Sequence, residues 1–438
     1  MEDTPEATRA QRGLTRRLEM TSAVIVPTPR KGWSIRLVVA CVVAFSVSLS
    51  MAPISIAKLL LFVFALGYLG LAYWRGKAEQ PFAGLWTAPV ILGICVAFSL
   101  SLLWTSASLA DALNVLVKHL KLLEILLLAV LIRTARDARI AITVFALGQA
   151  IFVLTAWLLV VGVALPWARM GQNPYAVFSS YLDQSIIFAS SAAVIWHLHA
   201  ELGWPRWLVR VFAAVALTMS LLFLEGRTGY LVALSMIALM VLWTVPKHWR
   251  LAALLVVPTA MLAGLFLSSA TFGGRVVKIL DEGQAYAAMP DANTSTGWRL
   301  NAWHRSLQAI AERPLLGHGV GSFTATVKRL EGPTADKTFG TGNSSNPHQE
   351  FLLWGVELGV LGPMLLIGLI ICIYRDIRHF ATPVARSILS VLVAMTIACM
   401  LNSALYDGLI GDFFVVTLGL LMALGIRTRE ADLTRLSQ

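Results

Sequence analysis

Charged residues are scarce in this sequence, and that scarcity determines its class. Of its 438 residues, 13% are charged and 57% are hydrophobic, whereas a soluble domain carries about 25% charged residues. So few charges cannot hydrate the surface of a soluble protein of this length. The composition therefore excludes a soluble globular fold and predicts a membrane protein with many spans.

Cysteine and the common cofactor motifs are also sparse or missing. All four cysteines lie within apolar runs, at Cys41, Cys95, Cys372 and Cys399. Such positions are typical of small core residues rather than of disulfides or zinc ligands. The sequence has no Walker loop, no HExxH motif and no GxSxG motif. We therefore expect no metal and no cofactor.

The basic balance points to membrane loops rather than to nucleic acid. A net charge of +11 would suit a nucleic-acid-binding protein, but in an apolar chain it more often marks cytoplasmic loops. The first apolar run begins near Leu37, after a basic segment without a small-residue cleavage site, which predicts an uncleaved first span. Membrane lipids are the expected surroundings, and no nucleic acid is expected as a partner.

Apolar stretches of spanning length recur along the chain. A helix needs roughly 20 apolar residues to cross a bilayer, and about twelve such stretches are present. They lie near residues 35–51, 54–73, 84–104, 109–132, 140–164, 181–201, 207–224, 229–245, 250–270, 350–374, 386–404 and 408–426. We predict an all-α polytopic membrane protein with about twelve transmembrane helices.

The distribution of lysine and arginine predicts the orientation. These residues concentrate in the two tails and in alternate connecting segments, so the positive-inside rule places both termini in the cytoplasm. One long polar segment breaks the series of short connections and lies on the outer side. The predicted organisation is a cytoplasmic tail at 1–34, nine spans within 35–270, a large outer loop at 271–349, three spans within 350–426 and a cytoplasmic tail at 427–438.

The outer loop contains helical patterns of its own. A helix is predicted from about Gly297 to Glu312, with Arg299 and Trp303 on the same face. The Arg299 stem can simply pack while its head reaches water, or the guanidinium can point into a cavity. A glycine-rich turn and a second short helix starting near Phe323 follow. The polar stretch after that helix indicates a mobile lid.

A dense polar motif, NPHQE at 346–350, precedes the tenth predicted span. Pro347 suits the first turn of a helix and Asn346 can cap it, which places His348 at the helix N-terminus. A neutral imidazole there can act as a general base. The alternative is that His348 only anchors the helix at the headgroup level. Gln349 is a candidate supporting residue beside it.

Arg227 lies in the short outer connection EGRTG at 225–229. A guanidinium held in a tight hairpin matches phosphate oxygens with two parallel hydrogen bonds. Glu225 can instead pair with it in a purely structural way. If Arg227 and Arg299 converge, they form a site for a phosphate or diphosphate.

The fourth predicted span carries Lys118 and Lys121. Ionisable groups within a span usually face the protein interior or a wet cavity. A pair between Lys121 and Glu124 would be structural; otherwise both lysines would line the floor of the anion site. Tyr181 and Gln184, at the outer start of the sixth predicted span, are weaker supporting candidates.

Together these motifs resemble a known family. The run HQ, nine residues, G, two residues, G from His348 to Gly362 resembles the signature of the O-antigen ligase and polymerase superfamily. EGRTG around Arg227, GWRLNAW around Arg299 and the PLLGHGVGSF stretch resemble companion motifs of that family. The motif resemblance covers roughly residues 225–362.

The resemblance implies a glycosyltransferase with the architecture of the GT-C class. It implies transfer of a glycan from undecaprenyl diphosphate to an acceptor on the periplasmic face of a Gram-negative inner membrane. For the ligase branch, the acceptor is a sugar hydroxyl of lipid A-core. By this resemblance His348 would deprotonate the acceptor, while Arg227 and Arg299 would hold the donor diphosphate in a metal-independent, inverting transfer.

Three other functions remain open from the sequence. An O-antigen polymerase would use the same residues with a second lipid-linked glycan as acceptor. A protein O-oligosaccharyltransferase of the same superfamily would also fit. A lipid-linked sugar flippase would use Lys118, Lys121 and Arg227 for substrate passage, with His348 incidental.

Overall fold

The described part of the chain is helical, with no strand. The computed structural model describes residues 34–76, 81–167, 173–178, 180–224, 226–268, 281, 284, 295–332 and 345–436. The described residues from Arg36 onward form one compact unit. The helices are α1 Ile35–Ser46, α2 Met51–Trp74, α3 Thr87–Leu100, α4 Leu109–Leu120, α5 Leu123–Leu131, α6 Ala135–Val160, α7 Tyr181–Leu198, α8 Arg206–Thr218, α9 Arg227–Leu242, α10 Arg250–Ser268, α11 Ser295–Glu312, α12 Phe323–Glu331, α13 Glu350–Leu358, α14 Leu361–Asp376, α15 Thr382–Leu401 and α16 Gly408–Leu436.

Five helices in the described ranges are long and apolar enough to cross a membrane: α2, α6, α8 with its following turn, α15 and α16. Helices α1, α3 and α9 are apolar but shorter. The expected spans at 109–132 and 350–374 are each divided into two helices. The all-α fold class is therefore confirmed, whereas the count of about twelve spans and the outer placement of the large loop stay predictions.

Helix α16 lies at the centre of the bundle. Its whole apolar window is buried, and it packs against α5, α6 and α15. Gly419 permits the close approach to α5, because a Cβ atom there would overlap Leu128. Helix α2, in contrast, exposes Ile56 and Leu59, and outward-facing apolar side chains on a long helix are expected where lipid replaces water.

Helix α16 continues beyond the predicted last span. That span was predicted to end at residue 426, followed by a cytoplasmic tail at 427–438, and the helix extends to Leu436. The assignment of 427–438 to a cytoplasmic tail stays a prediction. Arg427 explains the continuation, since its guanidinium donates hydrogen bonds to the carbonyls of Ala129 at 3.2 Å and Ile132 at 2.9 Å. These carbonyl groups lie at the end of α5, where no following helical N–H can donate a hydrogen bond to them.

The break between α13 and α14 is produced by glycine. Gly359 has a φ of +65°, and a Cβ atom at this position would overlap the carbonyl oxygen of Pro314. The Val360 N–H donates to that same oxygen at 2.7 Å. Gly362 faces the backbone of Trp354 so closely that a side chain would overlap it. Gly359 and Gly362, the two glycines of the motif that begins with His348 and Gln349, therefore allow α14 to fold back beside α13. They also leave room for the turn at Pro314.

After the turn at Pro314, residues 318–320 form a strap that joins the loop helices to the bundle through hydrogen bonds. The His318 and Gly319 N–H groups donate to the carbonyls of Val356 and Glu357, each at 2.9 Å. The Val320 N–H donates to Ser101 Oγ at 3.0 Å, just after α3. The two helices expected within the loop are confirmed as α11 and α12, and the strap fixes both against α13.

Helices α7, α8 and α9 meet tightly before Arg227. Gly229 allows α9 to contact α7, because a Cβ atom there would overlap the side chain of Ser185. Helix α8 ends in a π-helical turn over Met219–Phe223, where the Ser220 hydroxyl donates to the Ser185 carbonyl at 3.0 Å. Single π turns are frequent at functional sites. This packing fixes the position of Arg227, the first residue of α9.

Candidate active site

Helix α11 brings the candidate residues together. Arg227 donates a hydrogen bond from Nη1 to Thr296 Oγ1 at 3.3 Å. Two residues further along the same helix, the ring of Trp298 contacts the His348 ring edge to face, with centroids 5.1 Å apart. Arg299 follows Trp298 directly. The structure therefore places Arg227, Arg299 and His348 around the first turns of α11, although they lie far apart in sequence.

His348 adopts an unusual backbone conformation. Its φ is +51°, and it is the one non-glycine residue with positive φ among those described. This left-handed conformation costs an ordinary residue about 1–2 kcal/mol. The His348 N–H donates to Asn346 Oδ1 at 2.9 Å, and Trp303 Nε1 donates to the Pro347 carbonyl at 3.1 Å. These contacts hold the turn that presents the imidazole.

The imidazole of His348 is oriented by an asparagine. His348 Nδ1 lies 2.7 Å from Asn402 Oδ1, which follows α15. Because an amide oxygen only accepts hydrogen bonds, Nδ1 carries the proton in this pair. In the neutral ring Nε2 then holds the free lone pair. The arrangement leaves Nε2 as the atom that can accept a proton from a substrate.

The start of α13 differs from the prediction. Asn346 does not cap the helix, because His348 is not helical and α13 begins at Glu350. The cap is Gln349, whose side-chain oxygen accepts the Leu352 N–H. Asn346 instead closes the turn around His348. Gln349 thus has a structural role as the N-cap of α13. Because His348 is left-handed and not helical, the helix begins after it and Gln349 takes the cap position.

A buried carboxylate ties α13 to the segment after α15. Glu350 accepts hydrogen bonds from the N–H groups of Leu405 at 2.9 Å and Tyr406 at 3.2 Å, and from Trp354 Nε1 at 2.8 Å. The Gln349 N–H donates to Ser403 Oγ at 3.1 Å. These bonds fix the position of His348 relative to the 402–407 turn that supplies Asn402.

Arg227 and Arg299 form a concentration of positive charge. The pKa of Arg299 is lowered, mainly by burial and secondly by the charge of Arg227. Among the described residues, no carboxylate lies within ion-pair distance of Arg299. Two neighbouring guanidinium groups repel each other, and a bound anion would relieve that repulsion. Glu225, the alternative structural partner of Arg227, lies outside the described residues, as do residues 333–344 of the predicted lid.

The lysines of the fourth predicted span occupy different environments. Lys118 lies over the ring of Tyr406, 3.8 Å from its centroid. Lys121 is buried, donates to the Asp407 carbonyl at 2.9 Å and lies 3.6 Å from Asp412 Oδ1. Its ion-pair partner among the described residues is therefore Asp412 rather than Glu124, the partner that one of the two alternatives proposed. Lys118 is half-buried beside the 402–407 turn. Lys121 contacts the same turn through its hydrogen bond to the Asp407 carbonyl.

The two weaker candidates on α7 also have distinct positions. Tyr181 lies close enough to Arg299 to interact electrostatically with it. Gln184 is buried, accepts the Val177 N–H at 2.9 Å and donates to the Tyr175 carbonyl at 3.0 Å. Gln184 therefore holds the loop before α7, and Tyr181 is the member of the pair that adjoins the arginines.

Sequence reasoning missed Trp298, Asn402 and Asp407. Asp407 lies close to His348, Lys118 and Lys121, and its pKa is raised mainly by burial. The one available signal was the polar pair Asn402-Ser403 together with Asp407 between two apolar helices. That pattern marks a polar turn, but His348 and Asn402 are 54 positions apart, and no sequence spacing predicted their contact.

The fold and site are those of a helical membrane protein with a polar centre where a loop helix meets the bundle. Residues 212–367 match the family model described as O-Antigen ligase, and this range includes Arg227, Arg299 and His348. The match agrees with the resemblance to the O-antigen ligase and polymerase superfamily that the motifs predicted. No match to a curated protein was found.

Proposed function

We propose that this protein is an O-antigen ligase. In this proposal it transfers O-antigen polysaccharide from undecaprenyl diphosphate to a sugar hydroxyl of lipid A-core at the periplasmic face of the inner membrane. The observation that carries the proposal is the convergence of His348, Arg227 and Arg299 on α11 within the family-matched segment. A base beside a pair of guanidiniums matches the needs of glycosyl transfer from a diphosphate.

His348 is the proposed general base. Its Nδ1 is engaged by Asn402, so Nε2 can receive the proton of the acceptor hydroxyl as that oxygen attacks the anomeric carbon. A positioned base contributes about 10²–10⁴-fold to such reactions. The left-handed backbone of His348 supports this role, since local strain of this kind clusters at functional sites.

Arg227 and Arg299 are the proposed diphosphate-binding residues. As the new carbon–oxygen bond forms, the bond between the anomeric carbon and the diphosphate oxygen breaks, and the leaving group takes the electron pair. Fixed guanidinium groups stabilise this charge as it develops. Attack opposite the leaving group inverts the anomeric configuration, and the proton remains on His348. In this mechanism, no metal is required to neutralise the diphosphate.

The proposed orientation follows the basic residues. Their concentration in the tails and alternate loops favours cytoplasmic termini, and α11, α12 and the strap belong to the long loop proposed to face the periplasm. The proposed arrangement is a tail at 1–34, spans within 35–270, the periplasmic loop at 271–349 and further spans within 350–426. Both the donor and the acceptor are lipid-anchored, so each would reach the site from the membrane.

Lipopolysaccharide profiling in a host lacking its own ligase tests the proposal. The wild-type gene should restore polymer-capped lipid A-core, whereas His348→Ala at equal membrane expression should leave uncapped core and accumulated lipid-linked polymer. His304→Ala, on the exposed face of α11, is the matched control and should behave as wild type.

Two further host strains distinguish the other functions. Restoration of chain length only in a polymerase-deficient host would assign the protein to the polymerase branch. Restored transport of the lipid-linked glycan in a flippase-deficient host, with His348→Ala fully active, would instead identify a flippase. Capped lipopolysaccharide formed by His348→Ala would contradict the proposed role of the histidine.

A further inference from the structure

A second polar site lies at the opposite end of the helices that position Arg227. A cavity of about 390 Å³ opens between the end of α7, the start of α8 and the end of α9, lined by Trp196, His199, Arg206, Val209, Arg210 and Thr244. Helix α7 has 18 residues between its two ends, which corresponds to about 27 Å at 1.5 Å per residue. The cavity is therefore separate from the candidate active site.

The charge of this cavity is positive and uncompensated within the described residues. Neither Arg206 nor Arg210 has a carboxylate within ion-pair distance there. The nearby acid, Glu201, is engaged by Arg139 at 2.6 Å. His199 donates from Nδ1 to the Trp196 carbonyl at 2.8 Å, which leaves its Nε2 available. Two guanidinium groups and an imidazole around one cavity are suited to a phosphate group.

The surface next to the arginines is apolar and exposed. Arg206 and Arg210 are one turn apart on α8, and the adjacent stripe of the same helix carries Trp207 and Val211, which are 66% and 53% exposed. Helix α8 with its π turn is among the helices able to cross a membrane. A ligand with a phosphate in the cavity would thus have an apolar surface for acyl chains directly beside it.

We propose that this cavity binds the phosphate headgroup of an anionic phospholipid from the surrounding bilayer. Arg206 and Arg210 contact the phosphate, and the acyl chains lie along Trp207 and Val211. Tryptophan and arginine near the end of a spanning helix suit the headgroup level of a membrane, and basic pockets between helices recognise anionic headgroups. A free phosphate ion would use the arginines but not the apolar stripe. This inference does not depend on the proposed transferase activity.

Lipid binding by the purified full-length chain tests the proposal. Native mass spectrometry would follow retention of phosphatidylglycerol by wild type, by Arg206→Gln/Arg210→Gln and by the control Arg136→Gln/Arg378→Gln, which removes the same charge at exposed positions elsewhere. Wild type and control should retain the lipid equally, and the cavity variant should bind at least about tenfold more weakly. Equal retention by all three proteins would overturn the proposal.

Two further experiments are needed. One distinguishes a loss of binding from an effect of the substitutions on folding, and the other distinguishes a lipid phosphate from a free phosphate ion. Arg206→Lys/Arg210→Lys keeps the charge but loses the fork geometry, and its affinity should lie between wild type and the glutamine variant. In phosphatidylcholine nanodiscs, phosphatidylglycerol should raise the melting temperature of wild type, and inorganic phosphate should not. Stabilisation by inorganic phosphate alone, lost in the glutamine variant, would assign the cavity to a free anion and contradict the lipid proposal.

Discussion

At the scale of single residues, the proposed chemistry depends on how His348 is held. Its backbone occupies a conformation that costs an ordinary residue about 1–2 kcal/mol, so neighbouring contacts must maintain it. Asn346 holds the turn, Trp298 covers one side of the ring and Asn402 fixes the tautomer. Each of these neighbours comes from a different segment. The imidazole is therefore oriented by tertiary structure rather than by its local sequence.

Replacing Asn402 tests this orientation. Asn402→Ala removes the acceptor of His348 Nδ1 and should lower the turnover of purified protein about 10-fold, as expected for a lost, partly buried hydrogen bond of about 1–1.5 kcal/mol. Asn402→Asp keeps an oxygen acceptor and should retain more activity than alanine. Asn114→Ala, exposed on α4, is the control. Equal loss in the alanine and aspartate variants would argue against tautomer control.

Replacing Arg299 tests the diphosphate site. Arg299→Ala should decrease kcat/KM for the lipid-linked donor roughly 10- to 100-fold, because charge-assisted hydrogen bonds to the phosphate oxygens are lost. Arg305→Ala, on another face of α11 and bonded to Gln308, should leave donor kinetics close to wild type. Steady-state kinetics with varied donor provide the measurement. Equal defects in the two variants would point to a structural role for α11 alone.

Asp407 gives a pH dependence to stability. Burial raises its pKa, against the opposing charges of His348, Lys121 and Lys118, and Asp183 on α7 also lies near it. An acid whose folded pKa is raised binds its proton more tightly in the folded state. Stability is therefore lost as the pH rises from the ordinary aspartate value of 3.8 through the raised value.

Asp407→Asn should remove this contribution. The melting temperature of the variant minus that of wild type should increase as the pH rises through this window, because only wild type must ionise the partly buried group. Asp111→Asn, at the start of α4, controls for loss of a carboxylate. A melting-temperature difference for Asp407→Asn that does not change with pH would contradict the raised pKa of Asp407.

At the scale of helices, the sequence predicted α11 well. It did not predict that two of the expected spans are each divided into two helices. The face of α11 followed from its 3.6-residue periodicity, and Pro314 indicated its end. Hydropathy could not reveal that 109–132 and 350–374 are each two helices, because apolar composition does not report backbone conformation. Gly359 stood within a motif, but its positive φ depends on the contact with Pro314, which is distant in sequence.

Gly359→Ala tests the role of that break. A Cβ atom would overlap the Pro314 carbonyl, and positive φ disfavours alanine by about 1–2 kcal/mol, so the variant should show a lower melting temperature and reduced activity. Gly368→Ala on α14 is the matched control, since its Cβ would meet only Val90 at an ordinary 3.8 Å. The control should be neutral or slightly stabilised, as expected within a helix. A Gly359→Ala protein as stable as the control would contradict the proposed close approach.

At the scale of the whole molecule, composition predicted a helical membrane protein and the motifs predicted the match to the O-antigen ligase family model. The low charge and long apolar stretches correspond to an all-helical bundle, and the family match covers the segment with the three proposed site residues. The convergence of Arg227 with His348 could only be a hypothesis from sequence, because it requires α11 to lie against both. The basic cavity between α7, α8 and α9 gave no sequence motif, since its residues come from three separate helices.

The most direct test of the central claim is the transfer rate of purified protein with a lipid-linked glycan donor and lipid A-core acceptor, read as release of undecaprenyl diphosphate. We predict that wild type catalyses transfer and that His348→Ala reduces the rate by about 100-fold or more, while the His304→Ala control remains active. A His348→Ala protein that transfers glycan at the wild-type rate would contradict the assignment of His348 as the base.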